Sequence, residues 1–148
     1  MRECNSTKRE FEYLKKTADV RFRAVGKDFE ELLKNSFRAM INVMVDSDKV
    51  KKKEKIGVEV KAKTLDKLLI KFLEEILFLL DSENFIASEL ECVKITRKKG
   101  FYVLNAFVLG DKNLKEYDFS LSVKAVTYND FVFKRGYGFY VAEITLDV

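Results

Sequence analysis

Leu65, Leu68, Leu69, Phe72, Leu73, Ile76, Leu77 and Leu80 recur at spacings of three and four, the period of a helix that buries a wide arc of its surface. A strand cannot gather such a set on one face, so the chain must wrap its other elements around a long apolar helix. Thr64 stands where the N-cap belongs. Asp66, Lys67, Lys71, Glu74 and Glu75 interrupt the run, and it falls short of the roughly 20 apolar residues a membrane span requires. It reads as a core helix. A second stripe, Leu32, Leu33, Phe37, Met40, Ile41 and Met44, follows Asp28, with Glu31 three residues on as the partner in a capping box.

Most of the remaining chain alternates with a period of two. Val20, Phe22 and Ala24 oppose Asp19, Arg21 and Arg23, and Ile56, Val58, Val60 and Ala62 repeat the pattern. Further strands are expected at 89–96, 101–109, 119–128, 131–134 and 139–146, with a turn at Lys98 to Gly100. Arg135 to Phe139 matches the first five positions of the RNP1 octet of an RNA recognition motif. Tyr140 and Ala142 then break the match, and a Gly-Tyr-Gly hairpin turn explains the segment better. Two helices among about seven strands predict an α+β fold: a largely antiparallel sheet with the two helices packed on one face.

A chain of 148 residues can bury roughly 70% of its unfolded surface without a staple. Residues 1–10 are polar and aperiodic and are expected to be a flexible N-terminal extension, with residues 11–148 forming a single domain. The first twenty residues contain no apolar secretory segment. Cys4 and Cys92 are far apart and in no CxxC pair, which argues against zinc and, with so few cysteines, for reduced thiols and a cytoplasmic location. No membrane association is expected.

The chain has no histidine, which excludes Ser-His and Cys-His nucleophile pairs, HExxH sites and His-ligated metals. It also lacks a GxxxxGK[ST] phosphate loop. The net charge of +4 is matched by one run, Lys49, Lys51, Lys52, Lys53 and Lys55 against Glu54. That run is either a solvated turn or a phosphate contact.

Asp19 and Asp147 both lie in the polar phase of their strands. If the first and last strands are neighbours, two carboxylates meet, and the α-carboxylate of Val148 adds a third anionic group. A hard divalent cation would neutralise them, since Ca²⁺ accepts about six to eight oxygens. Otherwise Asp147 is one more exposed charge near a frayed end. Lys124 shares a phase with Ser120 and Ser122 and is either a counter-charge or a contact for phosphate or for an acidic group on a partner.

Three local patterns together resemble the archease family, accessory proteins of the RtcB-type tRNA-splicing ligase. They are Phe11 followed by Lys16-Thr17-Ala18-Asp19-Val20, the run Val123-Lys124-Ala125-Val126-Thr127-Tyr128, and the closing Leu146-Asp147-Val148. Val43 to Asp46 and Leu79-Leu80-Asp81 fall in family order too. The resemblance implies a non-enzymatic activator that promotes ligase guanylylation and turnover in tRNA splicing, with RtcB-type RNA ligase as partner and no tight RNA binding of its own. It also implies a calcium site at Asp19, Asp147 and Val148. The family usually carries His where Lys16 stands and often His or another polar residue at the position of Asn129, so a role for either imidazole does not transfer. Two other functions fit the residues: a metal-dependent phosphohydrolase using the same aspartates, with Asp118 and Glu143 as further carboxylates, or an RNA-binding module using the lysine run.

Overall fold

The structure is a computed structural model that describes residues 11–14 and 19–148. The expected extension over 1–10 lies outside the described residues. The elements run β1 Phe11–Leu14, β2 Val20–Gly26, α1 Phe29–Met44, β3 Glu54–Ala62, α2 Leu65–Glu83, β4 Ile86–Lys98, β5 Phe101–Asp111, β6 Ala125–Gly136 and β7 Phe139–Asp147. The fold is α+β, and every strand pairing is antiparallel. The strands divide into two sheets, ordered β1-β2-β7-β6 and β3-β5-β4. Strands β2 and β7, from opposite ends of the sequence, are direct neighbours.

α1 begins as its sequence dictates. The Asp28 carboxylate accepts from the Glu31 N–H at 2.8 Å, and the Glu31 carboxylate accepts from the Lys27 N–H at 3.1 Å, satisfying donors that a helix start leaves open. α2 differs. Thr64 occupies the N-cap position, but its side chain makes no capping bond. α2 ends on Asn84 in the left-handed conformation, φ 53°, a position Asn tolerates better than most residues.

α1 packs mainly on β2, while α2 packs on β3 and across to β6. Phe22, Phe37, Phe72 and Phe85 are among the fully buried side chains of one continuous core that joins both helices to both sheets. The β4–β5 hairpin turns through Lys99 and Gly100, both at positive φ, as a two-residue turn between twisted strands requires. Tyr137-Gly138 closes β6 onto β7, with Gly136 paired to Phe139. The predicted hairpin there is correct.

Two expectations need correction. Residues 119–124 are not a strand, because β6 starts at Ala125. Phe119 and Leu121 are exposed while Val123 and Val126 are buried, so the alternation does not mark a half-buried strand. The segment is held instead by the Ser120 N–H donating to the Met44 carbonyl at 2.7 Å. Cys92, expected as a reduced thiol, is exposed and disulfide-bonded; the other cysteine, Cys4, lies outside the described residues. Cysteine count and spacing speak to frameworks and metal pairs, and they do not show whether one particular thiol is oxidised.

Candidate metal centre

The β2–β7 ladder pairs Val20 with Leu146, Phe22 with Ile144 and Ala24 with Ala142, all with side chains toward the core. The opposite face carries Arg21, Arg23, Glu143 and Thr145. Asp19 immediately precedes Val20 and Asp147 immediately follows Leu146, the last pair of the ladder, and both are half-buried. The two sequence-predicted aspartates thus flank the last pair of the ladder. Neither carboxylate has an ion-pair partner among the described residues. Val148 is half-buried and packs against the core, which fixes the residue next to Asp147.

Two carboxylates at the same end of a strand pair repel one another unless a cation balances them. The donor set consists of hard oxygens, the chemistry that suits Ca²⁺ and not the soft-ligand chemistry of structural zinc. Thr145, two residues before Asp147 on the same face, is fully buried, and its Oγ1 has no hydrogen-bond partner. Among the described residues no three Asp, Glu or Cys side chains gather into a cage.

A charged network braces the same ladder. Arg21 Nη1 meets Glu143 Oε1 at 2.7 Å, Arg23 Nε meets Glu143 Oε2 at 2.9 Å, and Arg23 Nη1 reaches Glu12 on β1 at 2.6 Å. Burial alone would raise the Glu143 pKa, but the hydrogen bonds from Arg23 and Arg21 outweigh it and hold the carboxyl below the usual range. Arg21 Nη2 also donates to the Asp130 carbonyl at 2.6 Å. That carbonyl is presented by a wide irregularity in β6, where Tyr128, Asn129, Asp130 and Phe131 all stand against Ile144 of β7. Sequence reasoning offered Glu143 as a metal ligand and missed this brace. Its signal was present, in two arginines and a glutamate sharing the outward phase of two strands.

Lys124 lies just before β6. Its side chain is exposed and its N–H donates to the Asp147 carbonyl at 2.7 Å. The backbone of Lys124 thus anchors the strand that carries Asp147, while the side chain remains open to solvent. Asp118, the other candidate carboxylate, is exposed in the irregular segment before β6.

The lysine run is largely neutralised. Lys51 pairs with Glu116 at 3.0 Å, Lys52 with Glu89 at 2.5 Å and Lys55 with Glu91 at 3.2 Å. The Lys51 N–H donates to the Tyr117 hydroxyl, which in turn donates to Asp111 at 2.5 Å. That bond from Tyr117, against the opposing effect of burial, holds the Asp111 carboxyl below its ordinary value. Lys55 thus joins β3 to β4, while Lys51 and Lys52 tie the segment before β3 to Glu116 and to β4.

Fold and site together define an antiparallel α+β protein with two sheets and a pair of aspartates where its first long strand meets its last. The archease protein family (MTH1598/TM1083) matches residues 11–148, and the chain belongs to that family. It is 32% identical to the protein archease of Methanosarcina barkeri over 145 residues, 97% of this chain and 99% of that one. It is 35% identical to the protein archease of Pyrococcus furiosus over 128 residues, 86% of this chain and 89% of the relative. Among solved structures, the solution structure of Methanobacterium thermoautotrophicum protein 1598 matches with a TM-score of 0.82 at 33% identity, covering 93% of this chain and 98% of that one. Among the described residues no helix is long and apolar enough to cross a membrane.

Proposed function

We propose that this archease is a non-enzymatic accessory factor of the RtcB-type RNA ligase, promoting its guanylylation and turnover in tRNA splicing. In this reading Asp19, Asp147 and the α-carboxylate of Val148 hold a calcium ion, with Lys124 available to a partner's acidic group or phosphate. The reading is supported by the register of β2 against β7, whose last pair, Val20–Leu146, is flanked by Asp19 and Asp147, with no ion-pair partner for either carboxylate among the described residues. Calcium would supply that charge and tie the start of β2 to the end of β7. The Arg21–Glu143–Arg23 brace keeps the two strands in register, and the Lys124 N–H keeps the strand end in place. A cytoplasmic location follows from the partner and not from the thiols.

The two rival functions are weakened by specific contacts. A phosphohydrolase would need further carboxylates, yet Glu143 is committed to two arginines and Asp118 sits on an exposed segment. An RNA-binding surface on the lysine run would have to break the pairs with Glu89, Glu91 and Glu116.

Calorimetric titration with calcium tests the site. The wild type is expected to bind one ion, Asp147→Asn to lose roughly tenfold or more in affinity, and a chain with residues added after Val148 to weaken similarly. Unchanged affinity in both would remove the proposed ligand set.

A further inference from the structure

At the other end of the molecule, the β3–α2 turn meets the hairpin end of β4 and β5 and the far end of β6 around a cavity of about 330 Å³. Lys63 from the turn, Arg97 from β4 and Arg135 from β6 line it, so both sheets contribute cations to one concave site. None of the three has a carboxylate partner among the described residues. Elsewhere Arg21, Arg23, Arg38, Lys51, Lys52 and Lys55 are each paired with a glutamate. Among the described residues Asp66 is the only acidic side chain in the cavity lining, which leaves three positive charges against one negative.

The cations are also partly pre-positioned. Arg97 Nη1 donates to the Tyr102 hydroxyl at 3.0 Å, and its guanidinium lies 4.8 Å from the centre of the same ring. One contact fixes the plane of the fork and leaves most of its five N–H donors available. Lys63 Nζ lies 5.9 Å from the centre of the Phe101 ring. The first turn of α2 opens at the same place, and the Thr64 side chain does not cap it, so the helix N-terminus adds to the positive field without competing for the ligand.

We infer that this cavity is an anion site for a phosphate-bearing small molecule, with Arg97, Arg135 and Lys63 as its charge partners. A phosphate offers three acceptor oxygens to a fork-shaped donor and a point charge, which suits two arginines and a lysine converging from separate elements. The volume lies at the small end for ligand pockets, about 300 to 1,000 Å³, enough for a phosphate group and part of the molecule that carries it. Tyr102 and Phe133 supply apolar lining. The site is built from residues remote from Asp19 and Asp147, so it stands or falls separately from the calcium reading.

The test is calorimetric titration of the full chain in calcium-free, low-salt buffer with inorganic phosphate, AMP and adenosine. AMP should bind and adenosine should not. Phosphate binding as tightly as AMP would identify the free ion as the ligand, and tighter AMP binding would identify an organic ester. Arg97→Gln and Arg135→Gln should each weaken AMP by about tenfold or more, while Asp66→Asn should tighten it. Thermal melts of the variants report whether each remains folded, and Asp66→Asn keeps the proposal testable if an arginine variant does not. Absence of AMP and phosphate saturation by about 10 mM, equal binding of adenosine, or an Asp66→Asn variant with unchanged affinity would overturn the inference.

Discussion

Replacing Glu143 with Gln removes the one carboxylate that serves both Arg21 and Arg23 while keeping the shape of the side chain. The side chains of Arg21 and Glu143 are only 14% and 16% exposed, so the arginine cannot recover its lost partner from bulk water. Breaking a fully buried pair costs about 3 to 5 kcal/mol, and the residual exposure here reduces that to about 2 to 3 kcal/mol. Arg21 would keep the Asp130 carbonyl, but its Nε already lacks a partner. At about 2.1 cal/mol/K of unfolding entropy per residue, a chain of 148 residues loses about 6 to 10 °C in Tm for that cost. The pH dependence has a definite sign. Because the folded Glu143 pKa is lowered, its contribution is present above its unfolded value and is lost as pH falls through the folded value. Thermal melts by circular dichroism at pH 7 and at pH 3 to 4 measure both effects. The variant should lose most stability at neutral pH and approach the wild type in acid. A drop below about 2 °C at pH 7 would show that water already screens the brace and would refute this account of what holds β2 against β7.

Tyr117→Phe deletes the hydroxyl that donates to Asp111 and accepts from the Lys51 N–H; with Asp111 only 3% exposed, urea titration should show a loss of about 1.5 to 3 kcal/mol. The lowered Asp111 pKa should return upward in that variant, so the stability lost on acidification disappears at higher pH than in the wild type. Gly110→Ala places a Cβ against the Ile86 carbonyl oxygen and the Phe85 ring, backbone and core that cannot yield, and should cost about 3 kcal/mol or more in the same titration.

Both helices were legible in the sequence because the apolar residues of α1 and α2 keep a helical period across several turns, and the Asp28–Glu31 box marks the start of α1 in chemistry as well as position. The start of α2 was read from Thr64, whose side chain turns out not to cap: sequence shows that a residue can cap, not that its hydroxyl turns inward. The misplaced strand over 119–124 has a similar cause. Its alternation of Phe119, Leu121 and Val123 mixes exposed and buried positions, and the Ser120–Met44 contact that holds it spans much of the chain. The outward phase of Asp19 and Asp147 was legible strand by strand. That they flank the same strand pair was not, because it depends on which strands pair, and the division into two sheets was likewise hidden in strands that carry no label for their neighbours. Lys63, Arg97 and Arg135 lie on three elements in two sheets, with no local motif to group them.

In the proposed function the chain assists an RNA ligase through a surface organised by the end of the β2–β7 ladder that Asp19 and Asp147 flank. A multiple-turnover ligation assay with the RtcB-type ligase tests it most directly, with wild-type protein and with an Asp19→Asn, Asp147→Asn double variant that melts as a folded protein. Wild-type protein is expected to raise the number of ligations each ligase completes, and the double variant to lose most of that stimulation. Ligase turnover unchanged by the wild-type protein would contradict it.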